Sequence, residues 1–194
     1  MILLASKSPR RQELLKQIGI DYQVINTDID ESVLPNENPH DYVARMAHSK
    51  AIAAKSLLGS VQHPILTADT SVIKDDVILG KPEDYADFCR MMNMLSGSTH
   101  QVLSAIAVQY QNKIIVKTSV SSVTFATLPE TFIEAYWATH EPCDKAGGYA
   151  IQGLMARYIK NIDGSYSGIM GLPLFELSEA LREIGYNDSS LAFS

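Results

Sequence analysis

The chain has 194 residues, of which 46% are apolar and 20% are charged, a composition typical of folded globular proteins and unlike that of disordered chains. Its 16 Lys and Arg against 22 Asp and Glu give a net charge of −6, which argues against binding to a nucleic-acid polymer but permits a small anionic substrate. No apolar run approaches the roughly 18 residues of a membrane span, and the N-terminus lacks the pattern of a secretory signal, so we expect a cytoplasmic protein. The length predicts one domain over residues 1–194.

The N-terminal part begins with a strand that leads directly into a helix. Ile2 to Ala5 is a continuous apolar run, as in a buried strand. Ser8 suits a helix N-cap and Pro9 the first helical position, and an apolar stripe then continues to Gly19. We expect a second strand from Tyr22 to Ile25.

An acidic, proline-containing loop from Thr27 to Pro39 separates these elements from a long helix. Apolar and small residues at 3-4 spacing predict that helix from Asp41 to Leu58. Lys50 lies near its apolar stripe, where a cation either extends to solvent or meets an anion, and extension to solvent is the default. A short apolar strand follows from Ile65 to Ala68 and ends in polar residues.

The rest of the chain contains strands and helices without an internal repeat, which predicts one mixed α/β unit. The stretch from Glu141 to Gly153 interrupts the pattern with Pro142 and several glycines among charged residues, and we interpret it as a functional loop. In chain order we expect a hairpin of Val72-Ile73 with Val77-Ile78, a helix over 82–95, two long strands within 101–125, a helix beginning after Thr127, a strand over 157–162, a loop over 163–171, a helix over 173–184 and an irregular tail.

The first candidate for chemistry is the polar turn between the first strand and the first helix, from Ser6 to Arg11. Free backbone N–H groups at a helix N-terminus attract an anion, and Arg10 and Arg11 add planar donors suited to phosphate oxygens. The alternative is an ordinary capped helix with solvated arginines. This turn alone does not separate the two.

Further candidates follow the short strand and lie in the later loops. Asp69 at the strand end can hold a divalent cation or accept a proton from an attacking water, although an Asp there is more often a turn former. Lys50 and Lys81 can offer positive charge to a polyphosphate, with a solvated lysine as the alternative for each. Gln152 has the donor and acceptor needed to bind the edge of a base, and Tyr149 offers a ring for stacking or packing.

A set of short motifs occurs in a fixed order along the chain. The motifs are Leu4-Ala5-Ser6-x-Ser8-Pro9-Arg10-Arg11, Asp30-Glu31, Arg45 with Lys50-Ala51, Ala68-Asp69-Thr70-x-Val72, Leu79-Gly80-Lys81-Pro82, Leu95-Ser96-Gly97, Glu141-Pro142-x-Asp144-Lys145-Ala146-Gly147, Ile151-Gln152-Gly153 and Gly171-Leu172-Pro173. Each motif alone is a weak signal, whereas the ordered set is specific. From about Ile2 to about Leu181 the chain resembles the Maf family of nucleoside triphosphate pyrophosphatases.

The resemblance implies an α/β fold in which a long curved mixed sheet is flanked by helices and a central cleft separates two lobes. It also implies hydrolysis of a nucleoside triphosphate between the α and β phosphates, with a divalent cation (Mg²⁺, Mn²⁺ or Co²⁺), by a protein that forms a homodimer. On this resemblance Asp69 and Glu31 are the catalytic residues and metal ligands. The substrate-binding residues are then Ser6, Arg10, Arg11, Lys50, Thr70, Lys81 and Gln152.

Arg11, Thr70 and Gln152 resemble the family branch that hydrolyses dTTP and UTP, while the branch acting on 7-methyl-GTP is the alternative. Another alternative is a nucleotide-binding regulator of cell division without essential turnover. The sequence departs from the family at one place, because a glycine usually found after the loop tyrosine here precedes it as Gly148. Ala150 would be strained if its position required a positive φ.

Overall fold

In the computed structural model, which describes residues 1–59 and 62–186, strands and helices succeed one another largely as the sequence predicts. The strands are β1 (Ile2–Leu4), β2 (Tyr22–Val24), β3 (Ile65–Lys74), β4 (Val77–Leu79), β5 (Thr99–Tyr110), β6 (Lys113–Phe125) and β7 (Ile159–Asp163). The α-helices are α1 (Pro9–Gln17), α2 (Pro39–Leu58), α3 (Tyr85–Leu95), α4 (Glu130–Ala138), α5 (Tyr166–Met170) and α6 (Leu174–Glu183). Short 3₁₀ turns cover Glu141–Asp144, Ala146–Gly148 and Leu154–Tyr158.

The strands form one mixed sheet in the order β2-β1-β3-β5-β6-β7, with β4 paired to β3. β1 runs parallel to β2 and β3, whereas β5 is antiparallel to both β3 and β6. The mixed sheet flanked by helices is therefore confirmed.

One edge of β3 is only partly covered by its neighbours. β5 pairs with β3 from Ile65 to Ile73 on one side. On the other side, β1 pairs with β3 only as far as Leu66, and β4 pairs with β3 only from Val72 onwards. On this side, no strand of the described residues pairs with β3 between Leu66 and Val72, so this backbone edge and the nearby side chains are available for a ligand.

The two faces of the sheet are covered differently. Helix α2 lies on one face, where Val43, Ala47 and Ala51 pack against Leu103 and Ala105 of β5. On the opposite face, apolar side chains of α1 and α6 cover one end of the sheet. Those of α3 and α4 cover the other end. A cleft lies between these two apolar clusters, as the predicted two-lobed arrangement requires.

The structure differs from the sequence predictions at several boundaries. β3 does not end at Ala68 but continues through Asp69 and Thr70 to Lys74, because both polar side chains find partners on the faces of the sheet. The helix expected from Pro82 begins at Tyr85, where the preceding Asp84 accepts the capping hydrogen bond.

The C-terminal third shows two more differences. The strand expected over 157–162 is Ile159–Asp163, since residues Leu154–Tyr158 form a 3₁₀ turn. The loop expected over 163–171 contains the short helix α5, which the Ser165 side chain caps by accepting a hydrogen bond from the Gly168 N–H. Most of the predicted irregular tail, residues 187–194, lies outside the described residues.

Candidate active site

The cleft has a volume of about 610 Å³ and opens at the unpaired edge of β3. Its walls come from the β1–α1 turn, the loop before α2, α2 itself, the segment after β4, the loop before β7 and the turn after α5. It brings together all the site residues predicted from the sequence: Ser6, Arg10, Arg11, Glu31, Lys50, Asp69, Thr70, Lys81 and Gln152.

Lys50 joins the two predicted acidic residues. Its Nζ lies 2.8 Å from Oδ1 of Asp69 and 2.7 Å from Oε1 of Glu31. The Lys50 and Asp69 side chains are 15% and 14% exposed, whereas Glu31 is 59% exposed. The default expectation that Lys50 extends to solvent is therefore wrong. Because α2 packs on the face of the sheet to which Asp69 points, the ammonium meets two anions instead.

The loop that carries Glu31 is held against the first turns of α2. The Tyr42 hydroxyl donates to the Glu31 carbonyl at 3.0 Å, and Arg45 Nη2 donates to the Ser32 carbonyl at 2.9 Å. Arg45 also forms an ion pair with Glu37, which lowers the pKa of that carboxyl to about 2. These contacts fix the loop so that Glu31 reaches Lys50.

Tyr42 lines the cleft and is a functional candidate that the sequence analysis missed. Burial raises the pKa of Tyr42 to about 12, and the negative charges of Asp69 and Glu31 add to this effect. Its hydroxyl therefore stays a hydrogen-bond donor at neutral pH. The signal available in the sequence was the pairing of Tyr42 with Arg45, three residues apart on one helix face beside an acidic loop.

Arg11 is held by three protein acceptors. Its Nε donates to the Gly171 carbonyl at 2.8 Å, Nη1 to Ser6 Oγ at 3.0 Å and Nη2 to Thr70 Oγ1 at 3.3 Å. Burial lowers the pKa of Arg11, and the nearby Asp69 opposes this effect. The guanidinium nevertheless stays charged, as arginine does in proteins. Since it has five N–H donors, two remain for a ligand.

Three other predicted side chains remain without protein partners. Arg10, Lys81 and Gln152 line the cleft, and none of them hydrogen-bonds to a side chain or backbone group within residues 1–59 and 62–186. Lys81 and Gln152 are exposed and Arg10 is partly buried. Their donor groups are therefore available to an anionic or polar ligand.

The predicted functional loop over 141–153 is held by the carboxylate of Glu141. Oε1 of Glu141 accepts from the Tyr136 hydroxyl at 2.8 Å and from the Leu154 N–H at 3.1 Å. A Cβ built on Gly153 would lie 2.0 Å from that same oxygen, so any side chain there would displace the carboxylate. Glu141 thereby sets the position of the turn that presents Gln152.

The displaced glycine of this loop is accommodated by the backbone. Gly147 and Gly148 have φ of +66° and +68°, whereas Ala150 is not among the described non-glycine residues with positive φ. A Cβ on Gly147 would also come within 2.9 Å of the Val72 side chain. The sequence departure therefore causes no strain at Ala150, because the glycine stands where the positive φ occurs.

The ring of Tyr149 packs in the core. Tyr149 is 6% exposed, and its hydroxyl lies 2.7 Å from Nε2 of His100. The ring makes edge contacts with both His100 and Phe125. Burial lowers the pKa of His100 to about 3, so the imidazole is neutral and links the loop to β5.

Asp69 and Glu31 would supply two carboxylates to a divalent cation, and phosphate oxygens of a substrate would supply further ligands. Mg²⁺ in nucleotide enzymes is bound by one or two carboxylates together with phosphate oxygens and water. Lys50 contacts one oxygen of each carboxylate, and the other oxygens have no hydrogen-bond partner in the described part of the chain. Within that part, no group of three or more His, Cys, Asp or Glu residues could hold a metal.

The cleft combines a helix N-terminus, several cationic side chains and two carboxylates at the open edge of a sheet. This combination defines an α/β protein whose cleft has the charge and donor groups suited to phosphorylated small molecules. The chain belongs to the family described as Maf-like protein, whose family model matches residues 1–184. In the described part of the chain, no helix has both the length and the apolar character that crossing a bilayer requires.

Similar proteins extend over nearly the whole chain. A dTTP/UTP pyrophosphatase of Pseudoalteromonas translucida is 48% identical over 181 residues, covering 93% of this chain and 95% of the relative. Another dTTP/UTP pyrophosphatase, of Methylobacillus flagellatus, is 49% identical over 184 residues, covering 95% and 92%. The structure of the Staphylococcus aureus Ham1 protein matches with a TM-score of 0.52 at 13% identity, covering 94% of this chain and 98% of Ham1, and this likeness supports the fold alone.

Proposed function

We propose that this protein is a nucleoside triphosphate pyrophosphatase that hydrolyses dTTP and UTP to the nucleoside monophosphate and pyrophosphate. The observation that carries the proposal is the pair of carboxylates, Asp69 and Glu31, held by Lys50 in a cleft that also contains unpaired cationic groups. The names of the relatives support the same reaction and the same substrates.

The triphosphate is bound by the β1–α1 turn and the segment after β4. The N–H groups at the start of α1 and the side chains of Arg10 and Lys81 donate to phosphate oxygens. Little covalent chemistry is required of the protein in phosphoryl transfer, so positioning and neutralisation of charge dominate. These donors offset the negative charge that builds up on the departing pyrophosphate.

Asp69 accepts the proton of the attacking water. The water oxygen bonds to the α phosphorus. The bond between this phosphorus and the oxygen bridging to the β phosphorus breaks, and pyrophosphate leaves with that electron pair. A divalent cation bound by Asp69 and Glu31 would supply Lewis-acid polarisation of the phosphate. Lys50 holds both carboxylates in place through its ion pairs with them.

The base is bound on the other side of the cleft by Arg11 and Gln152. Uracil and thymine present carbonyl oxygens and one N–H, which match the free N–H groups of Arg11 and the amide of Gln152. Thr70 contributes by holding Arg11. In this proposal residues 1–194 form one domain, and the protein is cytoplasmic. We also predict that it forms a homodimer and that it requires Mg²⁺, Mn²⁺ or Co²⁺.

Product analysis tests this function directly. Purified protein with Mg²⁺ or Mn²⁺ is supplied with dTTP, UTP, CTP, GTP or 7-methyl-GTP, and pyrophosphate is distinguished from orthophosphate. We expect pyrophosphate from dTTP and UTP and its loss with a chelator. Pyrophosphate mainly from 7-methyl-GTP would contradict the substrate assignment. Binding without cleavage of any nucleotide would contradict the reaction and favour a regulatory role.

A further inference from the structure

A row of hydroxyl groups crosses the sheet beneath the turn that contains α5. Thr70 of β3, Ser104 of β5 and Ser119 of β6 are cross-strand neighbours in register. Ser104 is only 1% exposed, so its hydroxyl must be satisfied by protein groups. The α5 turn lies close to this row of hydroxyl groups, since a Cβ on Gly168 would lie 3.3 Å from Ser119 Oγ.

The contacts of Ser104 fix the direction of every hydrogen bond in this network. Ser104 Oγ lies 2.6 Å from the Gly168 carbonyl oxygen, which can only accept, so Ser104 donates its one proton there. At the 2.9 Å contact between Thr70 and Ser104, Thr70 must then be the donor. The Thr70 oxygen is thereby left to accept from Nη2 of Arg11.

We propose that Ser104 is a positioning residue for base selectivity, acting through Thr70 on Arg11. This inference rests on the proposed function and extends it to a residue outside the cleft lining. Because the Thr70 proton is committed to Ser104, Thr70 cannot donate to the base, and Arg11 is held by acceptors with its two free N–H groups available.

With this arrangement, the cleft offers the base hydrogen-bond donors beside Thr70, namely the two free N–H groups of Arg11. A carbonyl oxygen of uracil or thymine satisfies such donors, whereas the amino group of cytosine is itself a donor and leaves them unpaired. Without the Ser104 hydroxyl, Thr70 is free to rotate and to donate towards the base, and Arg11 loses a fixed acceptor. Ser104 therefore supports discrimination of UTP and dTTP from CTP.

The test compares kcat and KM for UTP and CTP in the wild type and in Ser104→Ala. We expect the UTP/CTP ratio of kcat/KM to fall roughly three- to tenfold, the effect of about one hydrogen bond, mainly through a higher KM for UTP. Ser104→Cys, which fills the site with a slightly larger group but is a weak donor, should show the same loss and serves if the alanine variant folds poorly. Ser119→Ala is the matched control, because Ser119 is the next hydroxyl of the row but contacts neither Thr70 nor Arg11 in the described structure.

A second background separates positioning from a general structural effect. In Thr70→Val, which lacks the hydroxyl, Ser104→Ala should cause no further change in the UTP/CTP ratio, because Ser104 acts through Thr70. An equal fall of that ratio in both backgrounds, or an unchanged ratio in folded Ser104→Ala and Ser104→Cys, would overturn the proposal.

The geometric part can be measured without turnover. The Nη2 protons of Arg11, assigned with Arg11→Lys, should exchange slowly with solvent in the wild type and faster in Ser104→Ala but not in Ser119→Ala, because Nη2 donates to Thr70. If the wild type cleaves no pyrimidine triphosphate while Arg11 still depends on Ser104, the proposed function fails and the positioning role stands. If the wild type cleaves these nucleotides but the exchange rate of the Arg11 Nη2 protons is unchanged in Ser104→Ala, only the positioning role is contradicted.

Discussion

Asp69 and Thr70 are consecutive residues of β3, yet their side chains lie on opposite faces of the sheet. Asp69 accepts a hydrogen bond from Lys50 of α2 at 2.8 Å, whereas Thr70 contacts Ser104 at 2.9 Å on the face covered by α1, α5 and α6. Both line the same cleft because, in the described part of the chain, the edge of β3 opposite β5 has no strand partner at these residues. Because side chains alternate along a strand, Asp69 and the Arg11 network lie on opposite faces of the sheet at the same edge of β3.

Replacement of Asp69 by Asn should abolish turnover without loss of the fold. The amide can still accept a hydrogen bond from Lys50, but it cannot take a proton from water, so we expect kcat to fall by about 10²-fold or more. Pyrophosphate release and the thermal unfolding midpoint are the measurements. Glu31→Gln, which removes the more exposed acid, is the comparison. A rate near that of the wild type in Asp69→Asn would rule out the proposed role of this carboxylate.

Replacement of Lys50 by Met should tighten the binding of Mg²⁺ to the nucleotide-free protein while turnover falls. The ammonium that lies between Asp69 and Glu31 is removed, and the two carboxylates then attract a cation more strongly. Calorimetric titration with Mg²⁺ measures this change. In the control, Lys81→Met, nucleotide binding should weaken with no change in the Mg²⁺ affinity. Weaker Mg²⁺ binding in Lys50→Met would contradict a shared cation position.

Replacement of Gly153 by Ala should destabilise the protein by roughly 2 kcal/mol. The added Cβ displaces the Glu141 carboxylate and leaves the Tyr136 hydroxyl or the Leu154 N–H without its acceptor. Urea unfolding measures the change. Gly80→Ala is the matched control, since a Cβ there meets nothing within 4 Å. Equal stabilities of the two variants would show that the Glu141 contacts do not hold this turn.

The buried His100 should make stability depend on pH below neutrality. Its folded pKa of about 3 lies below the ordinary value of 6.5, so between these values the unfolded chain binds a proton that the folded protein does not. The contribution of His100 to the free energy of unfolding is therefore complete above about pH 6.5, and it is lost as the pH falls towards 3. The loss amounts to at most about 1.4 kcal/mol per pH unit.

His100→Gln isolates this effect, because glutamine can hydrogen-bond to the Tyr149 hydroxyl but does not titrate in this range. Urea unfolding of both proteins at pH 7, 6, 5 and 4 should show a steeper decline in the wild type. Parallel declines would mean that His100 is protonated in the folded protein.

Elements whose signals are local were predicted well from the sequence. The apolar periods of α1 and α2 and the residues of the long strands β5 and β6 are local signals, and these elements form close to their predicted bounds. The ordered motifs also indicated the residues that meet in the cleft, whether these lie in loops, within α2 or within β3.

The roles of individual side chains were decided by tertiary structure. β3 continues past Ala68 because β5 and α2 supply partners for Asp69 and Thr70, and Lys50 is an internal cation because the loop carrying Glu31 folds back against α2. Arg11 is held by Gly171, 160 positions away, and Ser104 controls Thr70 across a strand pair. Such hydrogen bonds depend on distances between distant segments, which no local pattern of residues contains.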